Sequence, residues 1–171
     1  MGYGLICSKG TNKADLLALG VLELKKYDDP YTKLKVIFDR VIGLIHQFNA
    51  TELAIEAPFY GKNVQSMLKL GRAQGTAIAA ALSCSLDIYE YAPRKIKLAI
   101  TGRGNASKEQ VAALLQQMFA IREMPANLDA TDGLAAAVCH FYQKGQTSAS
   151  LTGNTAKSWK EFVNNNPKRV K

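Results

Sequence analysis

The chain is predicted to fold as a mixed α/β layer domain, and three observations carry that prediction. Short apolar runs bounded by turn residues read as strands. Longer segments between them repeat apolar residues at helical spacing. Their order is a hairpin, then helix, strand, helix, strand and further helices, the arrangement of a sheet covered by helices.

Residues 3–8, "YGLICS", and 15–24, "DLLALGVLEL", read as two strands joined by the turn-rich "KGTNKA". Asp29-Pro30 opens a helix, with Asp29 as its cap and Pro30 in the first turn, where a missing N–H costs little. Its apolar positions Leu34, Ile37, Phe38, Val41, Ile42 and Ile45 recur at helical spacing up to Asn49. The strand "ELAIEA" follows. A second helix is predicted over about 64–85, where Gly71, Gly75 and several alanines permit close packing against a sheet. "DIYEYA", 87–92, is the next strand, and Pro93 starts the basic helical segment "PRKIKLAIT". After "GRGN", Ser107 caps the helix "SKEQVAALLQQMF", and a last helix runs from about Asp129 to Tyr142.

With 171 residues and 47% hydrophobic content, one domain with a substantial core fits. We place it at 1–143, followed by a basic, flexible tail at 144–171, where "GQTSASLTGNTAKS" is small and polar. No apolar run approaches the roughly 18–20 residues of a bilayer span, and no signal peptide is evident, so a cytoplasmic protein without membrane attachment is expected. Cys7, Cys84 and Cys139 lack CxxC spacing and read as reduced core thiols. The net charge of +8 favours a polyanionic partner. The tail holds six basic residues (Lys144, Lys157, Lys160, Lys168, Arg169, Lys171) against Glu161, so +5 of the charge lies there and +3 on the domain.

Two features hold candidate chemistry. The strand "LAIEA" is apolar until it delivers Glu56 at its C-terminal end, the edge at which α/β proteins place ligands. Asp129 and Asp132, three residues apart, share one face of the last helix at its first turn. Separately, each has an ordinary explanation: a surface carboxylate at a strand end, and acids offsetting a helix dipole. Gathered together, three carboxylates would repel one another by several kcal/mol unless a cation lay among them. Oxygen donors without Cys or His suit Mg²⁺, with Mn²⁺ as a substitute, and such a set supports phosphodiester hydrolysis. His46 and His140 are read as packing residues, since His140 lies about 16 Å along the helix from Asp129. Arg94, Lys95, Lys97, Arg103 and Lys108 fall within fifteen residues that contain no acid, a spacing that suits a phosphate track.

"LAIEAPFYGKN", "SMLKLGRAQGTAIAAA", "YEYAPRKIKLAITGRGNASKEQV" and "LDATDGLAAAV", in this order, resemble the RuvC family of Holliday-junction resolvases over most of residues 2–143. The resemblance implies a ribonuclease H-like mixed sheet flanked by helices and a homodimer. It also implies metal-dependent, symmetric cutting of four-way DNA junctions in recombination and repair, with RuvA and RuvB as branch-migration partners. By position, Glu56, Asp129 and Asp132 match three of the family's four acidic residues. Phe59 matches an aromatic implied to stack on bases at the opened junction; a local core contact is the alternative. Lys97 and Lys108 match basic residues implied to contact DNA near the scissile phosphate. Lys62 and Asn63 in the same loop as Phe59, and Arg94 in the basic segment, complete the candidate DNA contacts.

The departure from the family is at the beginning. The family's first, central strand, ending in Gly-Ile-Asp-Pro-Gly with the first catalytic aspartate, has no counterpart before "GYGLI". Either the start lies at an internal Met, or the chain is incomplete and inactive. The rival expectations are a catalytically incomplete junction-binding subunit and a ribonuclease H-like nuclease acting on RNA hybrids. The loop "APFYGKN" and the basic turn argue against the second.

Overall fold

A computed structural model describes residues 1–10, 13–58, 63–123 and 129–150. Among them the elements run β1 (Gly2–Ser8), β2 (Ala14–Val21), α1 (Pro30–Phe48), β3 (Glu52–Glu56), α2 (Val64–Ser83), β4 (Asp87–Tyr91), α3 (Pro93–Thr101), α4 (Lys108–Met118) and α5 (Asp129–Ser150). Most helix starts follow from side chains that accept a free N–H. Asp29 accepts from Thr32 N at 2.6 Å ahead of Pro30. Ser107 and Gln110 form a reciprocal capping box that begins α4 at Lys108.

β1 and β2 pair antiparallel. Between Leu5 and Ile6 the partner jumps from Ala18 to Leu16, so Leu17 bulges out of the ladder and is 44% exposed. β3 and β4 pair parallel, from Glu52 opposite Asp87 to Glu56 opposite Tyr91, with α2 as the crossover. Leu53, Ile55 and Ile88 face one core with α1 and α2, built on Ile37, Val41, Ala80 and Leu86. Ala54, Tyr89 and Tyr91 face the other, with Ile96, Val111, Leu115, Leu134 and Val138 of α3, α4 and α5. The strands therefore lie between two helical layers, the mixed α/β arrangement read from the sequence.

Four details differ from the sequence reading. Among the described residues the strands form two two-stranded sheets without a ladder between them. α5 lies across both, touching β1, β2, β3 and β4. It approaches β1 so closely that a Cβ at Gly4 would sit 2.6 Å from Leu134 Cα, so a side chain there has no room. Second, Gly71 and Gly75 do not face the sheet. A Cβ at either would meet nothing within 4 Å, and the residues that α2 buries are Gln74, Ala77, Ala80 and Ala81. Third, only Cys139 is a core thiol; Cys84 is partly buried and Cys7 is exposed where β1 runs out of the core, and all three are free. Fourth, α5 continues to Ser150, past the expected boundary at 144, and Lys144 is anchored by an ion pair to Glu52. Residues 151–171 of the expected tail lie outside the described residues. No helix among the described residues is long and apolar enough to cross a membrane.

Candidate nuclease site and its relatives

β3 ends at Glu56, and its C-terminal end is held from both sides. Ala57 N donates to Tyr91 O at 2.9 Å, continuing the pairing with β4. From the opposite layer, Gln74 Nε2 donates to the Glu56 carbonyl oxygen at 2.6 Å. Gln74 is buried at 8% exposure, and this bond explains a polar side chain inside an alanine-rich helix face. Its signal in the sequence is that lone amide among small residues, and the sequence reading overlooked it.

Three other elements bring charge to the Glu56 end. α5 opens with Asp129 and Asp132 in its first turn. Lys108, the first residue of α4, puts its Nζ 2.7 Å from Asp132 Oδ2. A lysine at a helix N-terminus opposes the helix dipole, and Asp132 supplies the compensating charge. That hydrogen bond, despite partial desolvation, holds the Lys108 ammonium above its ordinary pKa, with further support from the charges of Asp132, Asp129 and Glu56. Partial burial pushes the Glu56 carboxyl up, and Asp132 pushes it further, while Lys108 and Lys97 pull it down. Glu56, Asp132, Lys97 and Lys108 therefore share one electrostatic neighbourhood, and Asp129 reaches it through Lys108.

Among the described residues, no three His, Cys, Asp or Glu side chains are gathered into a set that could hold a metal ion. The ammonium of Lys108 stands against Asp132 instead. The donor chemistry nonetheless fits a hard divalent cation: carboxylates alone, with Glu56 raised first by partial burial and then by the charge of Asp132.

The remaining candidates fall into three groups. Asn63 caps α2, its Oδ1 accepting from Ser66 N at 3.0 Å. Arg94 is exposed in the first turn of α3, with its aliphatic stem over Gly104, where a Cβ would lie 2.6 Å from Arg94 Cγ. Phe59 and Lys62 lie outside the described residues. His46 is exposed near the end of α1, whereas His140 is buried and bonded through both ring nitrogens, to Tyr91 and Glu52.

A raised carboxylate pKa means that the charged form is disfavoured in the fold. The contribution of Glu56 to stability is therefore best below its unfolded pKa and is lost as pH rises through the raised folded value. At pH 7 and without divalent cations, Glu56→Gln is expected to raise Tm by about 1–2 °C, a small gain because the side chain is exposed and screened. The gain should vanish as pH falls and the native carboxyl protonates. Thermal melts of both proteins across pH 4–8 check this; a variant less stable at pH 7 contradicts it.

Comparison with known proteins bears on the same edge. The family model described as "Crossover junction endodeoxyribonuclease RuvC" matches residues 1–140. The protein of that name from Porphyromonas gingivalis is 58% identical over 100% of this chain and 91% of its own length. The one from Christiangramia forsetii is 57% identical over 100% of this chain and 87% of its own. A solved structure described as "T. thermophilus RuvC in complex with Holliday junction substrate" superposes with a TM-score of 0.77 at 28% identity, covering 85% of this chain and 88% of that one.

Proposed function

As the chain belongs to the RuvC family of crossover junction endodeoxyribonucleases, we propose that it resolves four-way DNA junctions by phosphodiester hydrolysis at the edge formed by Glu56, Asp129 and Asp132. The observation that carries this reading is the opposition of charges there. Carboxylates from β3 and α5 meet lysines from α3 and α4 at the carboxyl ends of two parallel strands.

The carboxylates would hold Mg²⁺, or Mn²⁺ in its place. Such a cation, when bound, supplies an activated water and stabilises charge on the leaving oxygen. The chain's own residues do the rest. Gln74 and the β4 pairing fix the backbone at Glu56, so its carboxylate is presented by a rigid strand end. Lys97 and Lys108 attract the backbone phosphate toward the carboxylates, and Lys108 exchanges Asp132 for phosphate as DNA arrives. Arg94, Lys62 and Asn63 extend that contact, and Phe59 stacks on a base at the opened crossover, an interaction worth about 1–3 kcal/mol.

The test is cleavage of an end-labelled four-way junction with Mg²⁺, beside a linear duplex and an RNA–DNA hybrid. Paired symmetric nicks in the junction alone are expected. Junction binding without cutting would favour a non-catalytic junction-binding subunit, and preferential hybrid cutting would overturn the substrate. Replacing both Lys97 and Lys108 by Ala is expected to flatten the salt dependence of junction affinity by about one to two units of log–log slope. An unchanged slope removes the two lysines from the phosphate track.

Two symmetric cuts call for two copies. α2 offers the surface: Leu68, Gly71, Gly75, Ala79 and Leu82 lie along one exposed stripe, with Leu68 54% and Leu82 57% exposed. The two glycines leave room for a second helix to approach closely. Wild type is expected to be a dimer by light scattering and Leu82→Glu a monomer; a dimer unaffected by that change places the interface elsewhere. Junction DNA, a second copy, and RuvA and RuvB are the partners in this reading. Cytoplasmic location fits the free thiols.

A further inference from the structure

β3 presents Glu52, Ala54 and Glu56 on one side, while Leu53 and Ile55 go to the opposite core. α5 runs antiparallel along that first side: its His140 meets Glu52, and its Asp132 acts on Glu56. The four-residue step from Glu52 to Glu56 spans roughly 13 Å of strand. The eight-residue step from Asp132 to His140 rises about 12 Å of helix. Because the two lengths match, whatever holds one end in register also sets the other.

The far end is held by an unusually complete set of bonds. His140 Nε2 lies 3.0 Å from Glu52 Oε2, and its Nδ1 lies 2.7 Å from the Tyr91 hydroxyl. Lys144 Nζ, one turn further along α5, bonds Glu52 Oε1. The Tyr89 ring stacks on His140 at 4.1 Å between centroids. Burial alone would raise the Glu52 pKa, but the Lys144 and His140 bonds outweigh it and hold the carboxyl below its ordinary range. Glu52, His140 and Lys144 meet at the end of β3 away from Glu56, and Tyr91, whose backbone pairs beside Glu56, commits its hydroxyl to His140, so these groups act on position and not as reacting groups.

We propose that the Glu52–His140–Tyr91 clasp, extended by Lys144, is a positioning device that fixes where α5 sits along β3 and so places Asp129 and Asp132 relative to Glu56. The significance of that placement rests on the function proposed above. A slip of one helical residue would move Asp132 by about 1.5 Å and turn it by about 100°. A misplacement of about 1 Å is enough to lower a rate about 100-fold.

The experiment compares full-length wild type with Glu52→Ala, Tyr91→Phe and Glu52→Gln, using two readouts. The first is hydrogen exchange by mass spectrometry without metal or DNA. Glu52→Ala is expected to speed exchange about tenfold over 129–140 while peptides of α1 and α2 stay unchanged, with Tyr91→Phe a milder version should Glu52→Ala fold poorly. Glu52→Gln keeps one acceptor oxygen for Lys144 and can offer its amide N–H to His140 Nε2 in the other ring tautomer, and it is expected to restore protection. Unchanged exchange in α5, or a uniform rise over the whole chain, overturns the proposal. The second readout is junction cutting: Glu52→Ala is expected to lower kcat about 10- to 100-fold with KM unchanged, and Glu52→Gln to recover most of it. If wild type cuts and Glu52→Ala cuts equally well, the clasp has no positioning role. If wild type does not cut at all, the proposed function fails, and the exchange readout alone decides whether the clasp sets the register.

Discussion

Asp132→Asn is expected to lower junction cutting by at least about 10³-fold, the loss of roughly 4 kcal/mol of transition-state stabilisation, while junction affinity is kept or improved. The first half of this expectation follows from the position of Asp132. It lies in the first turn of α5, raises Glu56, and holds Lys108 at 2.7 Å, so one carboxylate links both carboxylate elements and the basic helix. The amide keeps the size of the side chain but cannot supply the charge that a divalent cation or a developing positive centre requires. The second half follows from electrostatics, since removing a negative charge beside Lys97 and Lys108 frees cationic surface for phosphate. Single-turnover cleavage and gel-shift titration measure the two separately. A variant that cuts at near wild-type rate would remove Asp132 from the reaction, and one that loses binding in proportion to cutting would make it a folding residue. Set beside the small stability gain expected for Glu56→Gln, this loss would mark a site whose charges are retained for chemistry at the expense of the fold.

The parts of the fold that were legible in the sequence are those set by neighbours within a few residues. Asp29-Pro30 and the Ser107–Gln110 pair announce helix starts because capping is a contact across three residues, and the structure has both caps. The two strands "ELAIE" and "DIYEY" and the helix between them are likewise local, whereas their parallel pairing joins distant residues and is a finding of the structure. Spacing says less about which side of a helix meets the sheet when both sides are small. Gly71 and Gly75 look like packing positions, yet the sheet-facing residues are Gln74, Ala77, Ala80 and Ala81.

The site divides in the same way. That Glu56 ends a strand and Asp129 and Asp132 begin a helix is local, and it was visible. That Lys108 bonds Asp132 is a contact across 24 residues with no mark in the sequence; the family resemblance implies only that Lys108 contacts DNA. The clasp was invisible. His140 meets Glu52 across 88 residues and Tyr91 across 49, and a histidine on a small-residue helix carries no mark of its partners. The same long-range bonds explain why α5 outruns its expected end: Lys144 bonds Glu52 across 92 residues, so docking carries the helix beyond the point where local composition turns polar.

Leu115→Ala is expected to destabilise the fold by about 2–5 kcal/mol, whereas Leu114→Ala, one residue earlier on the same helix, should stay within about 0.5 kcal/mol. The two leucines share helix propensity and residue type, so burial alone separates them. Leu115 is 0% exposed in the core that joins α3, α4 and α5, while Leu114 is 38% exposed on the outer face of α4. Deleting the Leu115 methyl groups removes their transfer free energy and leaves a cavity that Val111, Leu134 and Val138 can only partly fill. For a chain of this size the loss corresponds to a Tm lower by roughly 5–15 °C. The consequence should reach the site, because α4 carries Lys108 and its seat against α5 is what keeps Lys108 at Asp132. Denaturant melts of both variants decide the matter. Equal losses would mean that α4 is not packed by the face that buries Leu115, and that the Lys108–Asp132 pair is held by something other than this core.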